Sequence, residues 1–226
     1  MLTDLFNLFF PKTCAVCREN LISEEAVICT SCLHQLPLTN YHLYNENTVK
    51  KVFYGRVSVV NATSFLYFYK NSITQTLIHA LKYKGVEEIS AFLGSWYVEK
   101  LNETSWVTDI DAIVPVPLHK KRLRKRGYNQ VEGFGKALAT HFSLPYTNDV
   151  LIKTSATRTQ VFKSRLARSN IQTHNFALKN KQKLAGKHIL LVDDIVTTGA
   201  TLETCANLLT EIPDVKISFA TMAITI

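Results

Sequence analysis

Two adjacent aspartates open the stretch of this sequence that has the clearest chemical potential. Asp193 and Asp194 follow an apolar run, residues 189–192, and precede a short loop of threonine and glycine, in the order HILLVDDIVTTGAT. The apolar run predicts a buried strand, and a loop with free backbone N–H groups before a helix suits an anion such as phosphate. Gly199 permits close approach of the backbone, and the two carboxylates can accept hydrogen bonds from vicinal hydroxyls. The stretch therefore predicts a site for a sugar phosphate.

This order of residues resembles the loop that binds 5-phosphoribosyl-1-diphosphate (PRPP) in the type I phosphoribosyltransferases. The resemblance implies that the aspartates lie at the ribose hydroxyls and that the loop wraps the 5′-phosphate. The residues it assigns to PRPP are Asp193, Asp194, Ile195, Val196, Thr197, Thr198, Gly199, Ala200 and Thr201. A receiver-type acid pair is the nearest alternative, but it needs most of an α/β domain after Asp194, and only a short segment follows.

A second block, DAIVPVPLHKKRLRKRGYNQ, occupies residues 111–130. Ile113 and Val114 predict the end of a buried strand, and Pro115 and Pro117 force a turn at its carboxyl end, where ligands of open α/β sheets bind. A run of cations follows the turn and makes these residues candidates for nucleic-acid binding: Lys120, Lys121, Arg122, Arg124, Lys125 and Arg126. A solvated helix face is the alternative for such a run, although its density favours a polyanionic partner.

The combination of VPVPL, the basic run and RGYNQ ahead of the acid pair resembles the ComF family of competence proteins, and the resemblance extends to LKYKG at residues 81–85. In the wider superfamily the first of these loops holds pyrophosphate, which implies that role for Val116, Pro117, Leu118 and His119. The loop lacks the small Gly or Ser residues common in salvage enzymes. That departure argues against efficient turnover but not against binding.

Four cysteines near the amino terminus form two CxxC pairs, Cys14 with Cys17 and Cys29 with Cys32. This spacing can place four thiolates tetrahedrally around one Zn²⁺, in a closed site whose role is structural. Two disulfides are the main alternative, but the first ten residues carry no signal-peptide pattern, and a reducing cytosol favours metal binding. The ComF resemblance also implies a four-cysteine knuckle. His34 is a minor alternative ligand, and Cys205 is expected to be a small buried residue on a helix.

Length and charge predict two unequal units, a zinc-binding module at 1–45 and a phosphoribosyltransferase-like domain at 46–226. The 226 residues are 46% apolar, enough for one α/β core and a minidomain, and no apolar run is long enough to span a membrane. The formal charge of +8 is uneven, because residues 1–49 are acidic overall and no acid occurs between Val150 and Val192. Such asymmetry indicates a polyanionic partner, either a diphosphate or a nucleic-acid backbone.

Alternating strand and helix patterns predict an α/β fold with a parallel, doubly wound sheet of the type I phosphoribosyltransferase kind. The expected elements are an edge strand or hairpin within 51–70, helices at 73–85, 87–101 and 130–142, and strands at 110–116, 189–192 and 215–226. Segment 154–170 is polar and basic. Its position matches the flexible loop of phosphoribosyltransferases, with Arg158, Gln160 and Arg165 as candidates to cover the substrate.

Four aromatic residues lie near the basic segments, Tyr128, Phe134, Phe162 and Phe176. They could stack on exposed bases, although core packing is the commoner role of such residues.

Two functions of different class fit these features, and neither motif supplies an evident general base. The ComF resemblance implies a cytoplasmic PRPP-binding protein that handles single-stranded DNA during uptake in natural transformation, with a DNA-translocating helicase as a possible partner. Alternatively, the protein is an active phosphoribosyltransferase in which Mg²⁺ neutralises the diphosphate and an unidentified base or amine attacks. A glutamine amidotransferase would need an N-terminal nucleophile domain, where this chain carries the cysteine pairs. The first function is preferred.

Overall fold

A parallel sheet of four strands forms the centre of the chain. The computed structural model describes residues 11–22, 25–154 and 175–226. The strands in chain order are β1 (Ala62–Phe68), β2 (Ala112–Pro115), β3 (Leu151–Lys153), β4 (Phe176–Leu178), β5 (His188–Val196) and β6 (Lys216–Thr225). The main sheet has the order β1-β6-β5-β2 with every neighbouring pair parallel, and β3 pairs separately with β4 in antiparallel fashion. The sheet confirms the predicted fold class.

Seven α-helices connect and cover these strands in the described ranges. They are α1 (Thr30–His34), α2 (Thr48–Lys51), α3 (Ile73–Tyr83), α4 (Glu88–Leu101), α5 (Lys120–Arg126), α6 (Glu132–His141) and α7 (Ala200–Leu209). Short 3-10 turns lie at Tyr41–Leu43, Trp106–Asp109 and Lys181–Lys183. Among the described residues, none of the helices is both long and apolar enough to cross a lipid bilayer.

Strands β5 and β6 lie at the middle of the sheet and are buried along nearly their whole length. Central strands of a parallel sheet are covered on both faces, which agrees with the largely apolar composition of these two strands. Pro115 of β2 lies opposite Val192 of β5, and Asp193 lies opposite Thr221 of β6. The carboxyl ends of β2 and β5 therefore reach the same edge of the sheet.

Two apolar cores cover the two faces of the sheet. The first contains Leu190 and Val192 of β5 with side chains of α3, α4 and α6, and the second contains Ile189 and Leu191 with side chains of α7. Side chains of a strand alternate between its faces, so one apolar run supplies both cores. This arrangement makes the sheet doubly wound.

Short extended segments pair with both outer strands. On β1, Thr39 N–H donates to the Phe65 carbonyl at 3.0 Å, and Tyr67 N–H donates to the Pro37 carbonyl at 2.8 Å. On β2, the Ile113 N–H donates to the Pro145 carbonyl at 2.9 Å and the Ile113 carbonyl accepts from Thr147 N–H at 2.8 Å. Both margins of the sheet are thus partly occupied by the chain itself.

The amino-terminal segment packs on the first core, because Cys14, Ile28, Cys29 and Cys32 are buried there. The domain boundary at residue 45 stays a prediction. The β3–β4 pair, which the sequence patterns did not indicate, lies on either side of segment 155–174. The predicted flexible-loop residues Arg158, Gln160 and Arg165, and also Phe162, lie outside the described residues.

Candidate functional site

The two aspartates lie at the carboxyl end of β5, on opposite faces of the sheet. Contacts show the face of each side chain: Asp194 lies on the face of α3, where Lys82 pairs with it, and Asp193 lies on the face of α7, near the Cys205 thiol. Both side chains are buried. The pair therefore offers two separate carboxylates to a ligand at this edge, rather than two neighbouring oxygens on one side.

Lys82 of α3 holds Asp194. The Lys82 Nζ lies 2.9 Å from Asp194 Oδ1, and the side chains are 20% and 6% exposed. The other carboxylate oxygen, Oδ2, is buried and has no hydrogen-bond partner in the part of the chain that the structure describes. Because buried acceptors are normally satisfied, this unpaired oxygen is the candidate acceptor for a ligand hydroxyl, although the oxygen itself is covered in this structure.

The Asp193 carboxylate is held by the backbone of its neighbour. Its Oδ1 accepts the Asp194 N–H at 2.8 Å. Burial, followed by the neighbouring Asp194 carboxylate, raises the pKa of Asp193 to about 8, although Lys82 and Lys153 act in the opposite direction. Near neutral pH the two aspartates together carry less than two negative charges, which lowers their repulsion of a phosphate.

The loop Thr197–Gly199 joins β5 to α7, and we call residues 197–201 the phosphate loop. Its Thr197, Thr198 and Thr201 side chains are exposed, whereas Gly199 is buried. A cavity of about 50 Å³ is lined by Asp193 and residues 195–202. A single water needs roughly 10–15 Å³ of such space, so the cavity accepts a group of several heavy atoms.

Gly199 is required by both its backbone and its surroundings. Its φ is +75°, in the left-handed region, and a Cβ at this position would lie 2.7 Å from Val52 Cγ1 and 2.7 Å from Phe53 Cε1. Phe53 in turn packs edge-on against Phe219 of β6, with ring centroids 4.7 Å apart. The phosphate loop therefore rests directly on the core.

Arg56 fastens the loop from the other side. Its Nη1 donates to the Thr198 carbonyl at 2.9 Å, and its Nη2 pairs with the carboxylate of Glu203 on α7. This hydrogen bond to the Thr198 carbonyl helps to fix the orientation of the peptide group between Thr198 and Gly199. Neither Arg56 nor Lys82 was assigned a role from the sequence, because each lies far along the chain from the motif that it contacts.

The first loop at this edge, residues 116–119, follows β2. The Val116 N–H donates to the Val192 carbonyl at 2.9 Å, and the Val116 carbonyl accepts from Asn129 Nδ2 at 3.1 Å. Because Pro117 has no N–H, Leu118 and His119 are the residues of this loop whose backbone can donate to a pyrophosphate. The structure brings the loop beside the aspartates, as the adjacent carboxyl ends of β2 and β5 require.

The RGYNQ segment binds the first loop to α3. The Tyr128 hydroxyl donates to the Leu81 carbonyl, next to Lys82, while Asn129 holds Val116. Tyr128 is buried, and so are Phe134 and Phe176. These three aromatic residues belong to the core, so they are not available to stack on bases.

Helix α5 projects from the body of the protein, since none of its residues is buried. The His119 Nδ1 accepts from Lys121 N–H at 3.2 Å and caps its start, and Gly127, with φ +89°, ends it. Of its six cations, all except Arg126 are exposed, and none forms an ion pair with an acidic residue in the described ranges. Arg126 contacts the Gln130 side chain and the ring of Tyr83.

The four amino-terminal cysteines converge on one point, with all four Sγ atoms within 4.8 Å of one another. The Cys17 and Cys29 sulfurs are 3.7 Å apart. A tetrahedron with Zn–S bonds of ≈ 2.3 Å requires an S···S distance of about 3.8 Å, so the cluster fits zinc. Exposed His34 is not part of the cluster, and Cys205 is buried on α7.

The charge state of Cys14 also suits a metal. Burial raises the pKa of its thiol, but N–H groups of the backbone, from Cys29 at 3.3 Å and Val16 at 3.4 Å, outweigh burial and lower that pKa to about 6. The thiolate is the form that binds a metal. Burial and hydrogen bonds with the other cysteines raise the pKa of Cys32 well above its ordinary value, so the fit to a metal rests on the convergence of the four sulfurs.

Comparisons with known proteins bear on the site. The family model "Phosphoribosyl transferase domain" matches residues 132–223, a range that holds the acid pair and the phosphate loop but not the first loop. The DNA utilization protein YhgH of Escherichia coli O157:H7 is 29% identical over 202 residues, covering 87% of this chain and 83% of that protein. Competence protein ComFC of Bacillus subtilis is 28% identical over 207 residues, covering 88% and 78%.

Among solved structures, adenine phosphoribosyltransferase from Saccharomyces cerevisiae is similar at 18% identity, covering 62% of this chain and 69% of that one with a TM-score of 0.36.

Proposed function

Because the chain belongs to the ComF-like competence proteins with a phosphoribosyltransferase domain, we propose that it binds PRPP, or a related ribose phosphate, with Mg²⁺ at the carboxyl edge of its sheet. The observation that carries this proposal is the phosphate loop itself. Gly199 leaves no side chain there and presses the loop against Phe53, and the exposed threonine side chains line the outside. A rigid loop whose backbone N–H groups lead into a helix suits a phosphate.

Each part of the ligand has a matching feature in this proposal. The 5′-phosphate lies in the phosphate loop, and a ribose hydroxyl donates to Asp194 Oδ2, the buried oxygen that Lys82 leaves open. The diphosphate lies against the backbone of Leu118 and His119. Mg²⁺ usually binds through substrate phosphates and one or two carboxylates, so it is expected to arrive with the diphosphate.

The same proposal assigns single-stranded DNA to helix α5. Its cations carry no acidic partners among the described residues, and such a surface attracts a phosphodiester backbone. The relatives are named for DNA utilization and for competence. We therefore place the protein in DNA uptake on the cytoplasmic side of the membrane, with a DNA-translocating helicase as a possible partner.

An active phosphoribosyltransferase is the second candidate, favoured by the complete acid pair and phosphate loop within the matched domain. In that reaction the bond from ribose C1 to the diphosphate oxygen breaks and diphosphate leaves with the bonding electron pair. A nitrogen lone pair of the base or amine forms the new bond to C1, and the proton of that nitrogen passes to the diphosphate or to water. The residues described here would contribute positioning and electrostatic stabilisation. We assign no general base among them.

The deciding experiment is a thermal shift titration with PRPP and Mg²⁺. The wild-type melting temperature should rise, and the combined Asp193→Asn and Asp194→Asn variant should lose the rise. Asp214→Asn, at an exposed carboxylate, serves as the matched control and should keep it. A normal rise in the double variant contradicts the proposed contacts. Diphosphate release measured with a panel of bases and amines then separates a transferase from a protein that only binds.

We further propose that the cysteine cluster holds one structural Zn²⁺. Elemental analysis should find one zinc per chain, and Cys32→Ser should lose it and lower the resistance to urea, since metal binding contributes to folding. Cys205→Ser replaces a buried cysteine outside the cluster and should retain the metal. A zinc-free wild-type protein that is equally stable with and without a chelator would exclude the centre.

A further inference from the structure

Tyr83, at the end of α3, is the most exposed large apolar side chain in the described ranges, at 72%. The Arg126 guanidinium carbon lies 5.9 Å from the centroid of its ring, and the His79 ring lies 5.0 Å from it. A single exposed tyrosine is common on protein surfaces. Tyr83, however, stands beside a dense group of cations and has a guanidinium near its ring. This arrangement suits a ligand that is both aromatic and negatively charged.

The adjoining helix α5 is held in a conformation that its charges oppose. Pairs of like charge lie four residues apart at Lys120 and Arg124, at Lys121 and Lys125, and at Arg122 and Arg126. Such pairs destabilise a helix, and the cations in its first turn also oppose the helix dipole. Since no acidic side chain of the described residues pairs with them, a polyanion laid along the helix would relieve this repulsion.

We propose that Tyr83 is a stacking platform for a base of a single nucleic-acid strand whose phosphates lie along α5. This inference rests on the proposed nucleic-acid function and adds to it the residue that recognises bases. A tyrosine ring stacks on any base, while Arg126 beside it carries charge towards the backbone. A base within a duplex is already stacked on both faces, so the platform selects a single strand.

The platform adjoins the candidate ribose site. Lys82, which binds Asp194, immediately precedes Tyr83 in the last turn of α3, and the Tyr128 hydroxyl anchors that turn through the Leu81 carbonyl. A strand on Tyr83 and α5 therefore passes next to the pocket, instead of binding on a separate side of the protein.

The test compares binding of labelled oligothymidine and of an abasic strand of equal length, followed by fluorescence anisotropy at several salt concentrations. Tyr83→Ala should weaken binding of oligothymidine by about fivefold or more, because stacking on an aromatic ring contributes that much per base. Binding of the abasic strand should not change, and Tyr83→Phe, which keeps the ring, should behave as wild type. Tyr44→Ala, at a tyrosine that is 62% exposed and lies outside α3 and α5, is the matched control.

The outcomes distinguish failure of the Tyr83 platform from failure of nucleic-acid binding at α5. If Tyr83→Ala binds oligothymidine as wild type does, while substitution of Lys121 and Arg122 by Gln flattens the salt dependence, the platform is wrong and the DNA surface stands. If the wild-type protein binds neither strand, the platform and the DNA-binding surface are both wrong. Oligouridine of the same length distinguishes DNA from RNA, and a duplex should gain nothing from Tyr83.

Discussion

Two loops meet at the carboxyl edge of the sheet, and they differ in almost every physical respect. The phosphate loop is pressed onto the core at Gly199, fastened by Arg56, and followed by a helix with a buried face. The first loop leads instead into α5, which has no buried residue and carries six cations in seven positions. One region is built by packing and the other by charge.

This difference indicates what each region can recognise. A rigid loop packed on the core can be complementary to one small ligand, and it is sensitive to changes of a single atom. An exposed cationic helix is complementary to any extended polyanion, tolerates substitution, and depends on salt.

The largest effect is expected at Gly199. Gly199→Ala adds a Cβ that meets Val52 and Phe53, and it also places alanine at a positive φ. Strain of about 1–2 kcal/mol and overpacking of about 1–3 kcal/mol should add, and PRPP binding should be lost. Gly186→Ala is the matched control, since Gly186 has φ +70° but open space around it. Equal losses in urea unfolding for both variants would show that the loop does not rest on the core.

Lys82→Met should have the next largest effect, because it leaves the buried Asp194 carboxylate without its cation. Loss of one partner of a fully buried pair costs about 3–5 kcal/mol, and the partial exposure of Lys82 reduces this to about 2 kcal/mol. Adding Asp194→Asn should recover part of the loss, while Lys84→Met at the exposed neighbouring lysine should change little. Additive losses in the double variant would mean that the ion pair does not contribute.

A smaller, pH-dependent effect is expected from Asp193. Its folded pKa of about 8 exceeds the unfolded value of about 3.9, so the stability it contributes is complete at low pH and is lost as the pH rises through 8. The loss proceeds at about 1.4 kcal/mol per pH unit between the two pKa values and ends near pH 8. Asp193→Asn removes it, so the variant should gain on the order of 1–2 kcal/mol relative to wild type between pH 7 and pH 9.

The charged and titratable groups that act on or beside Asp193 are Asp194, Lys82, Lys153 and the Cys205 thiol. Burial raises the pKa of that thiol well above its ordinary value. Urea unfolding at several pH values measures the difference between the two proteins. A constant difference would show that Asp193 is ionised throughout the range.

The smallest effect is expected on α5, where removing a charge should stabilise the fold. Lys121→Gln relieves repulsion from Arg124 and Lys125 and should gain about 0.2–0.5 kcal/mol at low salt. Lys136→Gln on α6 is the opposite control, since Lys136 pairs with Glu132 and should lose a similar amount. Both changes should vanish at high salt. A stabilised variant that also binds DNA less well would show that α5 is kept charged for function.

The sequence was sufficient for the parts of the structure that follow local pattern. The apolar runs of β5 and β6 predicted strands of a parallel sheet, although not their central position, and the CxxC spacing predicted the cysteine cluster. The predicted strand ended at Val192, however, whereas β5 continues to Val196. The motif alone also did not indicate that the two aspartates face opposite sides of the sheet, Asp194 towards Lys82 and Asp193 towards Cys205.

Other features of the site depend on contacts between distant parts of the chain. Arg56 reaches Thr198, and Lys82 reaches Asp194, across more than a hundred residues in each case. Neither has a spacing or period that would identify its partner. Tyr128 is similar, because its partner is the backbone carbonyl of Leu81, which no side-chain pattern records. Sequence motifs located the ligand-facing loops, and the fold supplied the residues that hold those loops in place.

The segments that pair with β1 and β2 reduce the tendency of this protein to associate with its own copies through the sheet edges. An outer strand with free N–H and C=O groups is a template on which another molecule can add a strand, and chains of such additions lead to fibrils. Thr39 and Tyr67 on one side, and Ile113 and Thr147 on the other, already use those groups within the molecule. These bonds hinder the addition of a strand from another molecule at either edge of the sheet.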